Sequence, residues 1–358
     1  ESAESCDVSD FLWSSVWMAR ATGQSKYGDS IERDAFNALP GAVNPSFTQC
    51  VYSQVPNRIP GFHLFSGESG NFYKEMHWPT CCPANLNRAL PNFIMNMAMI
   101  NGNGEILWLT YGPAHLKTRD GKYDIKCETE YPFRDSLTFT LNAVPQKQVL
   151  KFRIPTWCTN PSLAINGKSV KYKTEEGTIV LNNKCKAGDK IELVFPMKPE
   201  LVESNEMVPY YKGKRAPYWG MMAGSNSSTE LDGFKPQGRC AWVNYGALLF
   251  AMSMQRGNRD YFDNNEELWT EFRYALTPQS LQNFKIEYSK VKQPFMWHYK
   301  DAPLTISAKA NLIDWNPDKS DATMPLTAPT TLKSDVDIKL VPYGFLAYRM
   351  SMFPLVGE

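Results

Sequence analysis

The sequence predicts an α+β protein of several domains, with helices at its start and antiparallel β-rich domains after them. Three observations lead to this fold class. Apolar side chains recur every three or four residues in segments between residues 7 and 101, and from Glu105 onward the period becomes two. The chain has 358 residues, 43% of them hydrophobic. That is enough for two or three separate buried cores.

Three helices are predicted before the strands begin. The first covers residues 7–21, and its apolar face is formed by Val8, Phe11, Leu12, Val16 and Ala19. The second covers residues 26–39 and ends at Pro40-Gly41. The third runs from Pro83 to about Asn101, because proline is well placed in a first helical turn. No period holds over residues 42–80, which predicts a long loop of the kind that often carries function.

The strands are predicted from strict alternation of apolar and polar residues. Residues 136–141, 150–154 and 191–195 alternate, and Asn166-Gly167 is a strong hairpin turn signal. Such strands bury one face, as in antiparallel sheets. We expect four regions: a helical segment over 1–104, a β-sandwich over 105–200, an irregular linker or insertion over 201–240, and a β-rich domain over 241–358.

Composition excludes several classes of partner. The 38 basic and 37 acidic residues nearly cancel, and no run of Lys or Arg indicates a nucleic-acid or membrane-surface patch. No stretch reaches the roughly 18 apolar residues of a membrane span. The eight cysteines are too few for a disulfide-dense scaffold in a chain of this length and leave the compartment open. We therefore expect neither a nucleic acid nor a membrane as partner.

Two short motifs carry the chemistry of the chain, Glu4-Ser5-Cys6 and Cys81-Cys82-Pro83. If the chain folds so that they meet, one carboxylate and three thiols form a four-ligand set of the kind that Zn²⁺ prefers. Cys81 and Cys82 stand at the start of a predicted helix, where the dipole stabilises a thiolate. On the cysteine pair alone, two ordinary buried thiols are the better explanation of the pattern. A closed set would be structural, whereas an exchangeable carboxylate or an attacking thiolate would make it catalytic.

Other catalytic patterns are absent from the sequence. His63, His77, His115 and His298 have no zinc-protease spacing, and there is no G-x-S-x-G motif for a serine nucleophile. Glu32 lies beside the apolar stripe of the second helix, and Tyr52 lies in the long loop. Either could meet a ligand, although such residues are more often solvated or paired.

The order of motifs resembles the β-L-arabinofuranosidases of glycoside hydrolase family 127 and their close relatives. The matching segments are Glu4–Cys6, Tyr27–Asn37, Cys81–Asn85, Lys151–Trp157, Ala164–Gly167 and Leu340–Gly344. The resemblance implies that the helical segment is the C-terminal part of an (α/α)6 barrel. It also implies that an N-terminal segment or companion chain completes the barrel. Pro79 departs from the resemblance, standing where a pocket histidine is expected, with His77 the nearest substitute.

The resemblance implies a zinc-dependent retaining hydrolase. Glu4, Cys6, Cys81 and Cys82 would bind Zn²⁺, and Cys81 would attack the anomeric carbon of an L-arabinofuranoside. The acid that protonates the leaving oxygen would be Glu4 or a residue preceding Glu1. Glu32 and Tyr52 would contact the sugar.

Two alternatives stay open at this stage. One is a related hydrolase of another pectic sugar. The other is a carbohydrate-binding protein in which zinc has only a structural role and holds the predicted helices to the long loop. The expected partner in each case is a plant cell-wall or glycoprotein glycan. A role in polysaccharide degradation favours an extracellular or periplasmic location.

Overall fold

The computed structural model describes residues 3–54, 56–58, 73–75, 81–204, 207–211, 214–215, 231–236, 239–254, 273–315 and 329–357. Within these ranges the fold mixes a few helices with many strands, nearly all paired antiparallel. The α+β class is therefore confirmed. No helix in the described ranges combines the length and apolarity needed to cross a bilayer.

The chain divides into two units, each built from separate segments. Unit 1 consists of Glu1–Asp7, Asn37–Ala84 and Pro199–Glu358, and unit 2 consists of Val8–Phe36 and Asn85–Lys198. The segment predicted as one helical domain, residues 1–104, thus contributes to both units. The domain limits taken from the sequence stay predictions.

Four helices are described, and we label them in chain order. They are α1 Ser5–Thr22, α2 Tyr27–Arg33, α3 Leu39–Ala42 and α4 Cys81–Met95. A π-helical turn, Asp34–Ala38, joins α2 to α3. Pro40 lies in the first turn of α3, where its missing N–H costs nothing, so the predicted helix end at Pro40-Gly41 is wrong. α4 ends at Met95, earlier than predicted, because residues 98–100 form a strand instead.

The predicted apolar face of α1 needs one correction. Val8, Leu12, Val16 and Ala19 are buried as expected. Phe11 is 57% exposed, because it lies to one side of the stripe that the other four residues form at spacings of three and four. Trp17 and Met18 of α1 and Ile94 and Met95 of α4 are exposed as well.

Unit 2 contains two sheets. Their strands are β4 Ala98–Ile100, β5 Ile106–Trp108, β6 Ala114–Lys117, β7 Asp124–Thr129, β8 Ser136–Ala143, β9 Val149–Arg153, β10 Ser162–Ile165, β11 Lys168–Ser169, β12 Lys173–Glu175, β13 Thr178–Asn182 and β14 Lys190–Val194. One sheet has the order β11-β10-β14-β8-β7-β6, and the other β12-β13-β9-β5-β4. Rings from the two sheets meet: the ring centroid of Phe139 lies 4.8 Å from that of Trp108 and 4.9 Å from that of Phe152. The predicted hairpin is present, with both Asn166 and Gly167 at positive φ.

Unit 1 is built around a ten-stranded sheet. Its strands, with those of two small sheets, are β1 Ala3–Glu4, β2 Ser53–Gln54, β3 Asn57–Arg58, β15 Pro199–Ser204, β16 Met207–Tyr211, β17 Lys214–Arg215, β18 Leu231–Pro236, β19 Cys240–Tyr245, β20 Leu248–Ser253, β21 Tyr274–Ala275, β22 Lys285–Tyr288, β23 Leu304–Asp314, β24 Thr330–Pro342, β25 Arg349–Met350 and β26 Phe353–Pro354. Within 201–240, predicted to be irregular, the described residues include paired strands. The frequent Pro, Gly and Ser of that stretch hide its strands from periodicity.

Candidate metal centre

The two cysteine motifs meet in unit 1. Ligand atoms of Glu4, Cys6, Cys81 and Cys82 all lie within 4.8 Å of one another. The Sγ atoms of Cys6 and Cys81 are 3.9 Å apart, as are those of Cys81 and Cys82. These separations suit Zn²⁺, because Zn–S bonds of about 2.3 Å in a tetrahedron place sulfurs roughly 3.8 Å apart. One carboxylate and three thiols therefore fit this ion in both donor type and spacing.

Two helices begin at the cluster. Cys6 is the second residue of α1, and Cys81 and Cys82 are the first two residues of α4. The first N–H groups of a helix lack intrahelical acceptors and carry partial positive charge, so both helix starts favour thiolates. Sequence periodicity located the start of the third helix close to Cys81 but began the first helix after Cys6.

The four ligands differ in exposure. Cys6 and Cys82 are buried, whereas Glu4 and Cys81 are half-buried. Solvent, and with it a small molecule, therefore reaches the second pair more readily than the first. This difference separates two thiols suited to holding an ion from one thiol that a substrate can approach.

The carboxylate of Glu4 is held on both oxygens. The thiol of Cys6 donates a hydrogen bond to Oε2 at 3.0 Å, and the Tyr52 hydroxyl donates to Oε1 at 2.5 Å. Burial and this bond to Glu4 raise the pKa of Tyr52, so the phenol stays protonated as the donor. The structure thus places Tyr52 at the cluster, in contact with a candidate ligand.

Without an ion the buried thiols resist ionisation. Burial, followed by the hydrogen bond to Glu4, raises the pKa of Cys6, and burial is the main cause that raises the pKa of Cys82 to about 12. Among the described residues no basic side chain forms an ion pair with any of the four. A divalent cation would supply the missing positive charge and deprotonate the sulfurs.

A fifth cysteine lies near the cluster and was not singled out from the sequence. Cys50 is buried, and burial together with the charge of Cys81 raises its pKa to about 11. Its backbone pairs with that of Lys74 in an isolated bridge. No spacing signal connects Cys50 to either cysteine motif, so only the fold identifies it.

Glu32, predicted to contact sugar, lies in the core of unit 2. It is 1% exposed. Its Oε2 is 2.6 Å from Arg153 Nη2 and accepts from the Tyr131 hydroxyl at 2.6 Å, and its Oε1 accepts from the backbone N–H of Tyr111 at 2.8 Å. Asp29 contacts the same guanidinium at 2.8 Å. The predicted contact of Glu32 with a sugar stays a prediction, and the observed contacts are those of a buried ion-pair network.

His63, His77 and Pro79 lie outside the described residues. His115 is exposed and pairs with Asp124 on the surface of the first sheet of unit 2. His298 lies in a turn of unit 1 before a short 3₁₀ segment. Neither described histidine belongs to the four-ligand cluster.

The fold and the cluster together define a mixed helical and antiparallel-β protein with a site of three thiols and one carboxylate, a donor set suited to a soft divalent metal. Residues 105–197 match the family model described as β-L-arabinofuranosidase, GH127 middle domain. The resemblance seen in the sequence is thereby confirmed over residues 105–197, which match the middle domain of glycoside hydrolase family 127. A comparison with curated protein sequences finds no match.

Solved structures share the fold over nearly the whole chain. A β-L-arabinofuranosidase of this family from Geobacillus stearothermophilus T6 is 18% identical with a TM-score of 0.68, over 99% of this chain and 50% of that one. A second family 127 β-arabinofuranosidase has 17% identity, a TM-score of 0.66, and coverage of 99% and 49%. A protein described as a glycoside hydrolase is 19% identical with a TM-score of 0.68, over 99% of this chain and 52% of that one. The chain thus spans about half the length of the structures it matches.

Proposed function

We propose that this chain forms the thiolate centre of a retaining glycoside hydrolase that releases L-arabinofuranose from β-L-arabinofuranosides. The observation that carries the proposal is the convergence of Glu4, Cys6, Cys81 and Cys82, with Cys81 half-buried and at the start of α4. The matched family domain and the solved β-arabinofuranosidases supply the substrate class. The proposed architecture is the C-terminal part of an (α/α)6 barrel followed by β-sandwich domains.

Zn²⁺ is the proposed cofactor. Glu4, Cys6, Cys81 and Cys82 would hold it, and when bound it would lower the thiol pKa values so that a thiolate exists at neutral pH. Among the three sulfurs, Cys81 is the proposed nucleophile because it is the least buried. The helix start at Cys81 stabilises its negative charge, both before attack and when the sulfur later leaves.

The proposed reaction has two displacements. The Cys81 sulfur attacks the anomeric carbon, and the bond to the leaving oxygen breaks as a carboxylic acid gives that oxygen a proton. Water, deprotonated by the same carboxylate, then attacks the anomeric carbon and breaks its bond to sulfur. Two inversions retain the configuration, as in carboxylate-based retaining enzymes.

Two roles fit Glu4, as the proton donor or as the fourth ligand. Its Oε2 faces the Cys6 thiol at 3.0 Å, and its Oε1 is fixed by Tyr52. A carboxylate held on both oxygens is a poor proton shuttle, so these contacts favour the ligand role. A Glu4→Gln variant decides between them. If Glu4 is a ligand, the variant binds Co²⁺ more weakly than wild type. If Glu4 is the acid, the variant keeps its Co²⁺ affinity but turns over only substrates with good leaving groups.

The nucleophile is tested by Cys81→Ser, with Cys185→Ser as the matched control because Cys185 is also half-buried but lies in unit 2. We expect Cys81→Ser to abolish turnover of an aryl β-L-arabinofuranoside while the circular dichroism spectrum is retained. The control should keep full activity. Turnover by Cys81→Ser would contradict the thiolate mechanism. If the wild-type chain binds arabinosides without turnover, a carbohydrate-binding protein with a structural zinc is favoured instead. Turnover of a panel of glycosides would show whether the substrate is another pectic sugar.

A completing segment is also part of the proposal. Phe11, Trp17 and Met18 of α1 and Ile94 and Met95 of α4 expose large apolar side chains, and the solved relatives are about twice as long as this chain. We expect helices from an N-terminal segment or companion chain to cover them. In their absence the chain should self-associate at micromolar concentration, and a Phe11→Gln/Trp17→Gln variant should not. A monomeric wild-type chain, measured by light scattering, would contradict this expectation.

A further inference from the structure

The strand pair β1–β2 sets the position of the Glu4 side of the cluster. Ala3 pairs with Gln54 and Glu4 pairs with Ser53. The adjoining backbone is fixed as well, since the Ser5 N–H donates to the Tyr52 carbonyl at 2.8 Å and its hydroxyl donates to the Val51 carbonyl at 2.6 Å. Residues 51–54 are therefore the template on which both Glu4 and its partner Tyr52 are held.

The side chain of Gln54 connects residues 51–54 to the rest of unit 1 through hydrogen bonds. Its side chain is buried, and its Nε2 donates to the Ala38 carbonyl at 2.7 Å. Its Oε1 lies 3.4 Å from both the Tyr343 hydroxyl and Arg349 Nη2, each of which donates to it. Residues almost 300 positions away in the chain thus hold one end of β2.

Arg349 and Tyr343 form a tightly packed pair. The guanidinium of Arg349 lies 3.6 Å from the centroid of the Tyr343 ring, and its Nη2 donates to the Tyr343 hydroxyl. Its Nη1 donates to the Leu346 carbonyl at 2.6 Å. Gly41 allows this packing, because a Cβ there would lie 2.5 Å from Tyr343 Cε1.

The charge of Arg349 is unusual. The side chain is 0% exposed, yet within the described part of the chain no carboxylate pairs with it. Burying an unpaired cation is costly, and a role in general stability is better served by apolar residues of similar volume. The donors of Arg349 instead converge on carbonyls, Tyr343 and Gln54, which is the arrangement of a positioning group.

We propose that Arg349 and Tyr343 are positioning residues for the candidate metal centre, acting through Gln54 and β2 on Glu4 and Tyr52. The inference rests on the proposed function, since it assigns these residues to the same four-ligand site. Groups that orient metal ligands through hydrogen bonds typically change metal affinity about 10–100-fold when removed. Acting through one further link, Tyr343 should contribute less than Gln54.

The test is a titration of the metal-free chain with Co²⁺, which gives a thiolate-to-metal absorption band. Gln54→Met removes both hydrogen-bonding groups of the side chain at similar volume and should weaken Co²⁺ binding about tenfold. Tyr343→Phe removes one hydroxyl and should weaken it about threefold to fivefold. The matched control is Tyr245→Phe, because Tyr245 is also a buried tyrosine of unit 1 but its hydroxyl hydrogen-bonds with that of Tyr288. It should leave Co²⁺ affinity unchanged.

The double variant provides the decisive result. If both residues act through β2, Gln54→Met/Tyr343→Phe binds Co²⁺ no more weakly than Gln54→Met alone. Equal affinity of wild type and both single variants, or losses that add in the double variant, would overturn the inference while leaving the metal centre intact. Thermal unfolding of the metal-free proteins separates a general loss of stability from a loss of affinity. A wild-type chain without a thiolate–Co²⁺ band would overturn the proposed function and this inference together.

Discussion

Two polar clusters of this protein solve the problem of buried charge in opposite ways. In unit 2, Glu32 and Asp29 share the guanidinium of Arg153, and the Tyr111 N–H and the Tyr131 hydroxyl donate hydrogen bonds to Glu32. In unit 1, one carboxylate and three thiols face each other with no basic side chain among the described residues to balance them. The first cluster contains its own counter-cation, whereas the second would gain one with the proposed Zn²⁺.

The causes of the pKa shifts differ between the two clusters in the same way. Burial raises the pKa of Glu32, but Arg153, Tyr131 and the Tyr111 amide all act to lower it. For Cys6 in the unit 1 cluster every cause raises the pKa, beginning with burial. A cluster in which protein groups offset burial stabilises the fold, and one in which they add to burial is suited to a ligand.

The largest expected effect comes from removing a buried sulfur of the unit 1 cluster. Cys82→Ala should lower Co²⁺ affinity by about 1,000-fold or more, because one of four ligands is lost from a site whose binding free energy is of the order of 10 kcal/mol. Chelator should lower the thermal midpoint of the zinc-loaded wild type and leave the variant unaffected. Cys240→Ala, also buried in unit 1, is the control. Comparable Co²⁺ binding by Cys82→Ala would remove the cluster from consideration as a metal centre.

The next effect concerns the unit 2 cluster. Arg153→Met leaves the buried Glu32 and the half-buried Asp29 without their cation and should reduce the free energy of unfolding by about 3–5 kcal/mol, measured with urea. Co²⁺ affinity of the folded variant should stay as in wild type. Arg20→Met, on the exposed side of α1, serves as control and should change stability little. A loss below about 1 kcal/mol for Arg153→Met would show that the pair contributes little net stability.

A smaller effect tests the sugar contact predicted for Glu32. Glu32→Gln keeps the shape but removes the charge that Arg153 and Tyr131 face, and should cost about 1–3 kcal/mol of stability. With a structural role alone, KM for an arylarabinofuranoside stays unchanged. A raised KM at unchanged stability would instead assign Glu32 to substrate binding.

An effect of similar size is expected for Asp34, a half-buried carboxylate whose pKa only Arg33 acts to lower. Burial raises the pKa of Asp34 to about 7, and its Oδ2 has no hydrogen-bond partner among the described residues. Between about pH 4 and pH 7 the unfolded chain releases this proton while the folded chain keeps it, so wild-type stability falls as pH rises. Asp34→Asn removes this loss and should be more stable than wild type by about 1–3 kcal/mol at pH 8, with no gain at pH 4.

The exposed Asp10→Asn variant is the control for this pH dependence, because its carboxylate lies at the surface beside Arg88. Urea unfolding at pH 4, 6 and 8 measures the difference. A gain for Asp34→Asn that is equal at all three pH values would show that titration of Asp34 is not its cause.

Much of the helical and strand content could be predicted because the periodicity of buried faces is local. Val8, Leu12, Val16 and Ala19 repeat at helical spacing and are buried, and Leu137, Phe139 and Leu141 alternate along β8 and are buried too. Phe11 was placed wrongly because a hydrophobic residue beside a stripe can face solvent. The sequence does not predict that the second helix continues past Pro40. The π-helical turn Asp34–Ala38 places Pro40 in the first turn of α3, where its missing N–H costs nothing.

The residue types available for metal chemistry can be read directly from the sequence, as can the two motifs, 75 positions apart, that carry them. Thiols, carboxylates and a helix start are properties of local sequence. Three features appear only in the folded protein: Cys6 also lies at a helix start, Cys81 is less buried than Cys6 and Cys82, and Glu32 faces Arg153. Burial and charge pairing depend on which distant segments pack together, and no local pattern encodes that choice.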